Sequence, residues 1–146
     1  MSYWDLVEPY WDRISVYDGP AVFLTQFAEA PEPSGHLFAA HFARSEVGNG
    51  GMHPLFWNAT GVLVPEAISG VRAPGLDILA EQLGQAADLL GPVYSRVQAK
   101  RQEILETMAP DIFEGFDELF FAHLDSFAPE DAFERAADAY AKRHIS

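Results

Sequence analysis

Apolar positions recur at helical intervals through most of this chain and alternate cleanly nowhere. Leu76, Leu79, Leu83, Ala86 and Leu90 fall three or four residues apart and so share one face of a helix. Leu37, Phe38, His41 and Phe42 repeat the pattern upstream. Val97, Ile104, Leu105 and Met108, then Phe116, Leu119, Phe120 and Leu124, repeat it downstream. The pattern predicts an all-α protein with no sheet.

Breakers and caps divide the pattern into about eight or nine short helices. Ser2 with Asp5 three residues on marks a start, and Pro9 must kink that helix or begin another. Asp18-Gly19-Pro20 reads as cap and first turn of a second helix that buries Val22, Phe23 and Phe27. Residues 29–35, with Pro31 and Pro33, read as a loop. The third helix ends in an Asn49-Gly50-Gly51 turn, and a short helix follows through Phe56 and Trp57. Pro65 opens the next helix, which stops near Pro74-Gly75, and Gly91-Pro92 closes the leucine stripe. Ser95 and Gln98 match a capping box, and Pro110 ends that helix. Pro129 opens the last one. Glu130 and Asp131 favour its N-terminus, and Lys142, Arg143 and His144 its C-terminus.

A length of 146 residues fits one domain with its own core, spanning 1–146. The 49% hydrophobic and 13% aromatic content argues against disorder. No cysteine is present, which excludes disulfides and thiolate metal sites and permits the reducing cytoplasm. The N-terminal MSYWDLVEPYWDR carries acids and no apolar run, so it does not read as a signal peptide. No stretch approaches the roughly 20 apolar residues of a membrane span. A cytoplasmic protein is the expectation.

Charge changes the picture most. Nine basic residues stand against twenty-two acidic ones, a net charge of −13. Direct binding to nucleic acid or to an anionic membrane is therefore disfavoured, and a basic protein surface is the partner such a chain attracts. Solubility alone also explains an acidic balance. Between Glu103 and Asp138 the acids are densest, with Arg135 alone opposing them. Glu114, Asp117, Glu118, Asp125, Glu130, Asp131, Glu134 and Asp138 form the candidate acidic partner surface. On a helix Asp131, Glu134 and Asp138 would share one face at about 5–6 Å per turn, similar to successive phosphates on a nucleic acid strand.

Candidate chemistry concentrates in residues 45–60, SEVGNGGMHPLFWNAT. Glu46, Asn49, Gly50, Gly51, His53, Trp57 and Asn58 could line a polar pocket, with Glu46 and His53 as an acid–base pair. The same residues could instead satisfy backbone groups around an unusual turn. No histidine pair has i, i+4 spacing and no HExxH occurs, so no metal is expected. The glycines lack the lysine of a P-loop, no GxSxG elbow exists, and no cofactor or catalytic residue is assigned.

YWDLVEPYWDRISVYDGPAVFLTQFA and GHLFAAHFARSEVGNGGMHPLFWNATGVLVPEA resemble the all-helical domain of bacterial DNA-mimic proteins. The likeness covers about residues 3–70 and continues more weakly to about 125, which leaves a C-terminal helix at about 129–145. Its most specific element is Ser45-Glu46 with Asn49-Gly50-Gly51 and Asn58. The family pattern has an aromatic near Met52 and a Gln near Pro54, where this chain departs from it. The resemblance implies a homodimer whose carboxylates imitate duplex phosphates and occupy the DNA-binding surface of a transcription factor. It transfers no mimicking carboxylate position by position. Two readings stand: a non-enzymatic acidic interaction protein that binds a basic DNA-binding protein, or a small enzyme or ligand-binding domain with its pocket at Glu46–Asn58.

Overall fold

A computed structural model describes residues 2–15, 18–124 and 132–145. Among them the chain forms nine α-helices and no strand, as the periodicity predicts. These are α1 (Trp4–Trp11), α2 (Pro20–Ala28), α3 (Ser34–Gly50), α4 (Met52–Trp57), α5 (Val64–Arg72), α6 (Asp77–Asp88), α7 (Gln98–Glu106), α8 (Glu114–Leu124) and α9 (Ala132–Ile145). A 3-10 helix, Ala59–Leu63, joins α4 to α5. No helix among the described residues is long and apolar enough to cross a membrane.

The long helix α3 is the centre. Leu37, Phe38, Ala39, Ala40, Ala43 and Val47 are all buried, so α3 is apolar on several sides rather than along one stripe. Its alanines let neighbours approach closely, and α5 makes its most extensive contact there, with α6 behind α5. Helix α1 lies across α3 through rings. Trp11 stacks on Phe42 with centroids 5.1 Å apart, and Trp4 lies 5.0 Å from His41. Helix α9 closes the bundle through buried Phe133, Ala137, Tyr140 and Ala141, and a 2.9 Å hydrogen bond joins Tyr140 to His36 of α3.

The local signals hold in part. Ser2 accepts the Trp4 N–H through its hydroxyl, and its own N–H donates to Asp5. Helix α1 runs through Pro9 without restarting. Gly19 takes φ 94° as the cap of α2, with Pro20 in the first turn. The α3 helix begins at Ser34, inside the expected loop, and Asn49 and Gly50 still belong to it. Of the Asn49-Gly50-Gly51 turn, only Gly51 takes a positive φ.

Three expected core residues are exposed instead: Val22 (41%), Val97 (52%) and Leu119 (54%). Val22 lies on the outer side of α2. Val97 sits in extended backbone just before α7, and Leu119 lies beside rather than on the face that buries Phe120. The Ser95–Gln98 box does not form. Ser95 accepts the Val97 N–H, and the Gln98 side chain reaches away to the Trp57 carbonyl. Asp125, Glu130 and Asp131, with the expected helix start at Pro129, lie outside the described residues.

Candidate functional site

The polar segment between α3 and the 3-10 helix is held at both ends by side chains from far along the chain. At its start, Gly51 is buried with φ 88° and ψ −169°, and its N–H donates to the Val47 carbonyl at 2.7 Å. Asp117 of α8 accepts the next backbone N–H, that of Met52, at 2.7 Å. A methyl group on Gly51 would come within 2.5 Å of the Asp117 carboxylate, so left-handed backbone and close approach both select glycine there. Burial pushes the Asp117 carboxyl above its ordinary range, and the Met52 N–H opposes that shift.

At the other end, the 94–102 segment satisfies five successive or nearby carbonyls. Arg101 donates through Nε to Phe56 (2.8 Å) and through Nη2 to Asn58 (2.9 Å). Gln98 and Gln102 both donate to Trp57 at 3.2 Å. Tyr94 donates to Gly61 at 2.7 Å and Arg96 to Val62 at 2.6 Å. A six-residue helix such as α4 leaves most of its carbonyls without an intrahelical donor, and a cation near its C-terminus suits the dipole. Arg101 is wholly buried and, among the described residues, meets carbonyls and the Tyr94 ring but no carboxylate. Burial lowers its pKa from the usual guanidinium value. Burial likewise raises that of Tyr94, with Arg101 and Arg96 opposing. Gly61 leaves room for this strap, since a Cβ there would lie 2.9 Å from Arg101 Nε.

Between these clamps the expected pocket residues do not converge. Asn58 donates to Glu46 at 3.1 Å, and the His53 ring stacks on Trp57 with centroids 5.5 Å apart and planes 20° apart. Asn49, His53 and Asn58 are exposed, Glu46 and Trp57 half-buried. Three cavities lined by described residues include none of the seven motif residues. Glu46 thus pairs with an amide, and no hydrogen bond joins it to His53. Among the described residues no group of three or more His, Asp or Glu side chains is placed to hold a metal ion.

The acidic set divides by its surroundings. Glu114 and Glu118 are exposed, one turn apart on α8. Asp117 is engaged at Met52, and Asp138 accepts the Tyr3 N–H at 2.7 Å, tying α9 to the start of α1. Glu134 is half-buried. A further stripe escapes the sequence reading. Asp77, Glu81 and Asp88 are exposed on α6, and their spacings of four and seven residues put all three on one face.

This helical architecture extends along a recognisable family segment. Residues 28–144 match the model of the DMP19-like protein family. The chain belongs to that family. It is a family of DNA mimics, as the sequence resemblance implies. The match starts at the end of α2 and runs through α9, so the DMP19-like segment includes the last helix and leaves out α1. Comparison with curated proteins and with solved structures returned no match.

The strap from Tyr94 to Gln102 was not legible as a site in the sequence. One signal was available: Arg101 falls four residues from both Val97 and Leu105, on an otherwise apolar stripe. A cation at a core position needs internal acceptors, and the Phe56, Asn58 and Ser95 carbonyls are those acceptors.

Proposed function

We propose that this DMP19-like protein is a non-enzymatic DNA mimic that occupies the basic, DNA-contacting surface of a DNA-binding protein in the cytoplasm. The reading rests on the excess of carboxylates at the surface. Most described carboxylates face solvent, whereas of nine basic residues Arg101 is buried and Arg96 is tied to Glu66 at 2.6 and 2.8 Å. The surface potential is therefore at least as negative as the net charge of −13 implies. Family membership supports the same role. Rows of carboxylates one or two helical turns apart, on α6 and α8, offer a basic groove regularly spaced negative charge, as a phosphate backbone does. A homodimer would extend such rows across two copies.

The test is capture from native lysate at low salt, followed by elution in a salt gradient. The expected result is a basic DNA-binding protein, released by salt and displaced by its own DNA site. Binding that persists unchanged in high salt, or a partner that holds its DNA and this protein together, would refute mimicry.

A further inference from the structure

One cavity lined by described residues runs counter to the charge of the chain. It has a volume of about 460 Å³ and lies where the start of α2 meets the 3-10 helix and the start of α7. Gly19, Pro20, Val97 and Ala99 form an exposed rim, while Phe23, Val62 and Arg101 form a buried floor. Its lining includes Arg96 and Arg101, two of the nine basic residues, and none of the twenty-two acidic ones. Most of the remaining lining is apolar. Cavities of this size, with apolar walls and a few placed polar groups, are where small molecules bind.

We propose that this cavity binds a small organic carboxylate with an apolar tail. Arg101 brings a fully buried positive charge to the floor, and its partners among the described residues are three backbone carbonyls and the Tyr94 ring, with no carboxylate. A buried charge of this kind is stabilised by an opposite one placed nearby. Arg96 supplies the direct contact. It spends one Nη1–H on the Val62 carbonyl and pairs with Glu66 through Nη1 and Nη2, which leaves its second Nη2–H and its Nε–H for a carboxylate. Glu66 holds the Nη1–Nη2 edge of the guanidinium and offsets part of its charge, but leaves the Nε–Nη2 edge open. The tail lies against Phe23, Val62 and Val97, which select hydrocarbon over a small inorganic anion.

Octanoate is a suitable probe, with octylamine as its cationic counterpart and octan-1-ol as its neutral one. Titration of the full chain, followed by amide shifts in two-dimensional NMR, should show saturable changes at Gly19, Ala59, Val62 and Ala99 with octanoate. Octanoate should bind at least about tenfold more tightly than octylamine, the preference one charge-assisted contact confers. Ala99→Trp fills the mouth from an exposed position and should abolish those shifts. Val97→Glu, also at the exposed rim, adds a negative charge to the mouth and should weaken octanoate at least about tenfold more than it weakens octan-1-ol. Equal binding of octanoate and octylamine, no saturable shift with octanoate, or octanoate binding untouched by both variants would each overturn the proposal.

Discussion

Asp117 accepts the Met52 backbone N–H at 2.7 Å across 65 residues of sequence, and so closes the α3–α4 junction with a side chain from α8. The contact explains why one carboxylate of an acidic helix is withdrawn from the surface while its neighbours Glu114 and Glu118 stay in solvent. Asp117→Ala should lower unfolding stability by about 1–2 kcal/mol, because the Met52 N–H loses its acceptor. Asp117→Asn keeps an acceptor and removes the half-buried charge, so chemical denaturation should place it at or above the parent near neutral pH. The sign follows from linkage. A carboxyl whose folded pKa is raised holds its proton more tightly in the native state, so its contribution is fully present in acid and is lost as pH rises through the folded value.

Gly51→Ala tests the same junction from the other side. At φ 88° an L side chain is strained, and its Cβ would meet Asp117 at 2.5 Å. The expected loss is about 1–3 kcal/mol by urea denaturation. Asp117→Ala should recover part of it, since that variant removes the atoms in the way and leaves the backbone strain.

Arg101 is the most consequential single side chain in the strap. Arg101→Leu preserves much of the volume but orphans the Phe56 and Asn58 carbonyls, which should cost about 3 kcal/mol or more. Arg101→Lys should recover little, because one ammonium cannot reproduce a planar fork that reaches Phe56, Ser95 and Asn58 together. Urea denaturation of both variants measures the difference. A lysine variant as stable as the parent would show that charge, rather than the fork, holds the segment.

What the chain reveals before folding follows from the range of each interaction. Helix type and most breaks are local, so the leucine stripe of α6, the Gly19-Pro20 start of α2 and the Pro74-Gly75 stop appear directly in the residue pattern. Burial at the rim of a helix is not local. Val22 and Leu119 look like core residues until the neighbours of α2 and α8 are known. The polar segment at residues 45–60 is visible as unusual, and the seven residues singled out there follow one another around the α3–α4 junction without lining a common cavity. Their partners were not visible, because Asp117 and Arg101 come from elements 65 and 45 residues away, and neither residue type advertises a backbone carbonyl or N–H as its target.

His41 gives the fold a second pH dependence, of the opposite sign. Tyr3 hydrogen-bonds its Nδ1 at 2.9 Å, Ser45 lies 3.5 Å from Nε2, and Trp4 and Trp11 flank the ring at 5.0 and 5.5 Å. Burial, then the nearby Arg44 charge, holds its pKa below the ordinary 6.5. The native state therefore binds its proton less readily than the unfolded chain. Stability from this site is present above the unfolded pKa and is lost as pH falls through the folded one. In a Trp57→Phe background, fluorescence from Trp4 and Trp11 should change along that acid limb. His41→Gln should flatten the change, while His53→Gln, at the exposed face of α4, should leave it in place.

Carboxylates that build the fold and carboxylates that face solvent should separate in a paired experiment. Asp138→Ala removes the acceptor of the Tyr3 N–H, which joins α9 to α1, and should cost about 1 kcal/mol of stability. Glu81→Gln with Asp88→Asn should leave stability unchanged or slightly raised. The pair relieves like charge along one face of α6 and removes an acid from the C-terminal end of its dipole. If the solvent-facing rows meet a basic partner, only the α6 pair should slow association, and the deficit should shrink as salt screens the remaining charges. Stopped-flow association at two ionic strengths, beside thermal melts of the same variants, makes the comparison. An Asp138 variant that slows association as much as the α6 pair while keeping its stability would assign the partner surface to α9 instead.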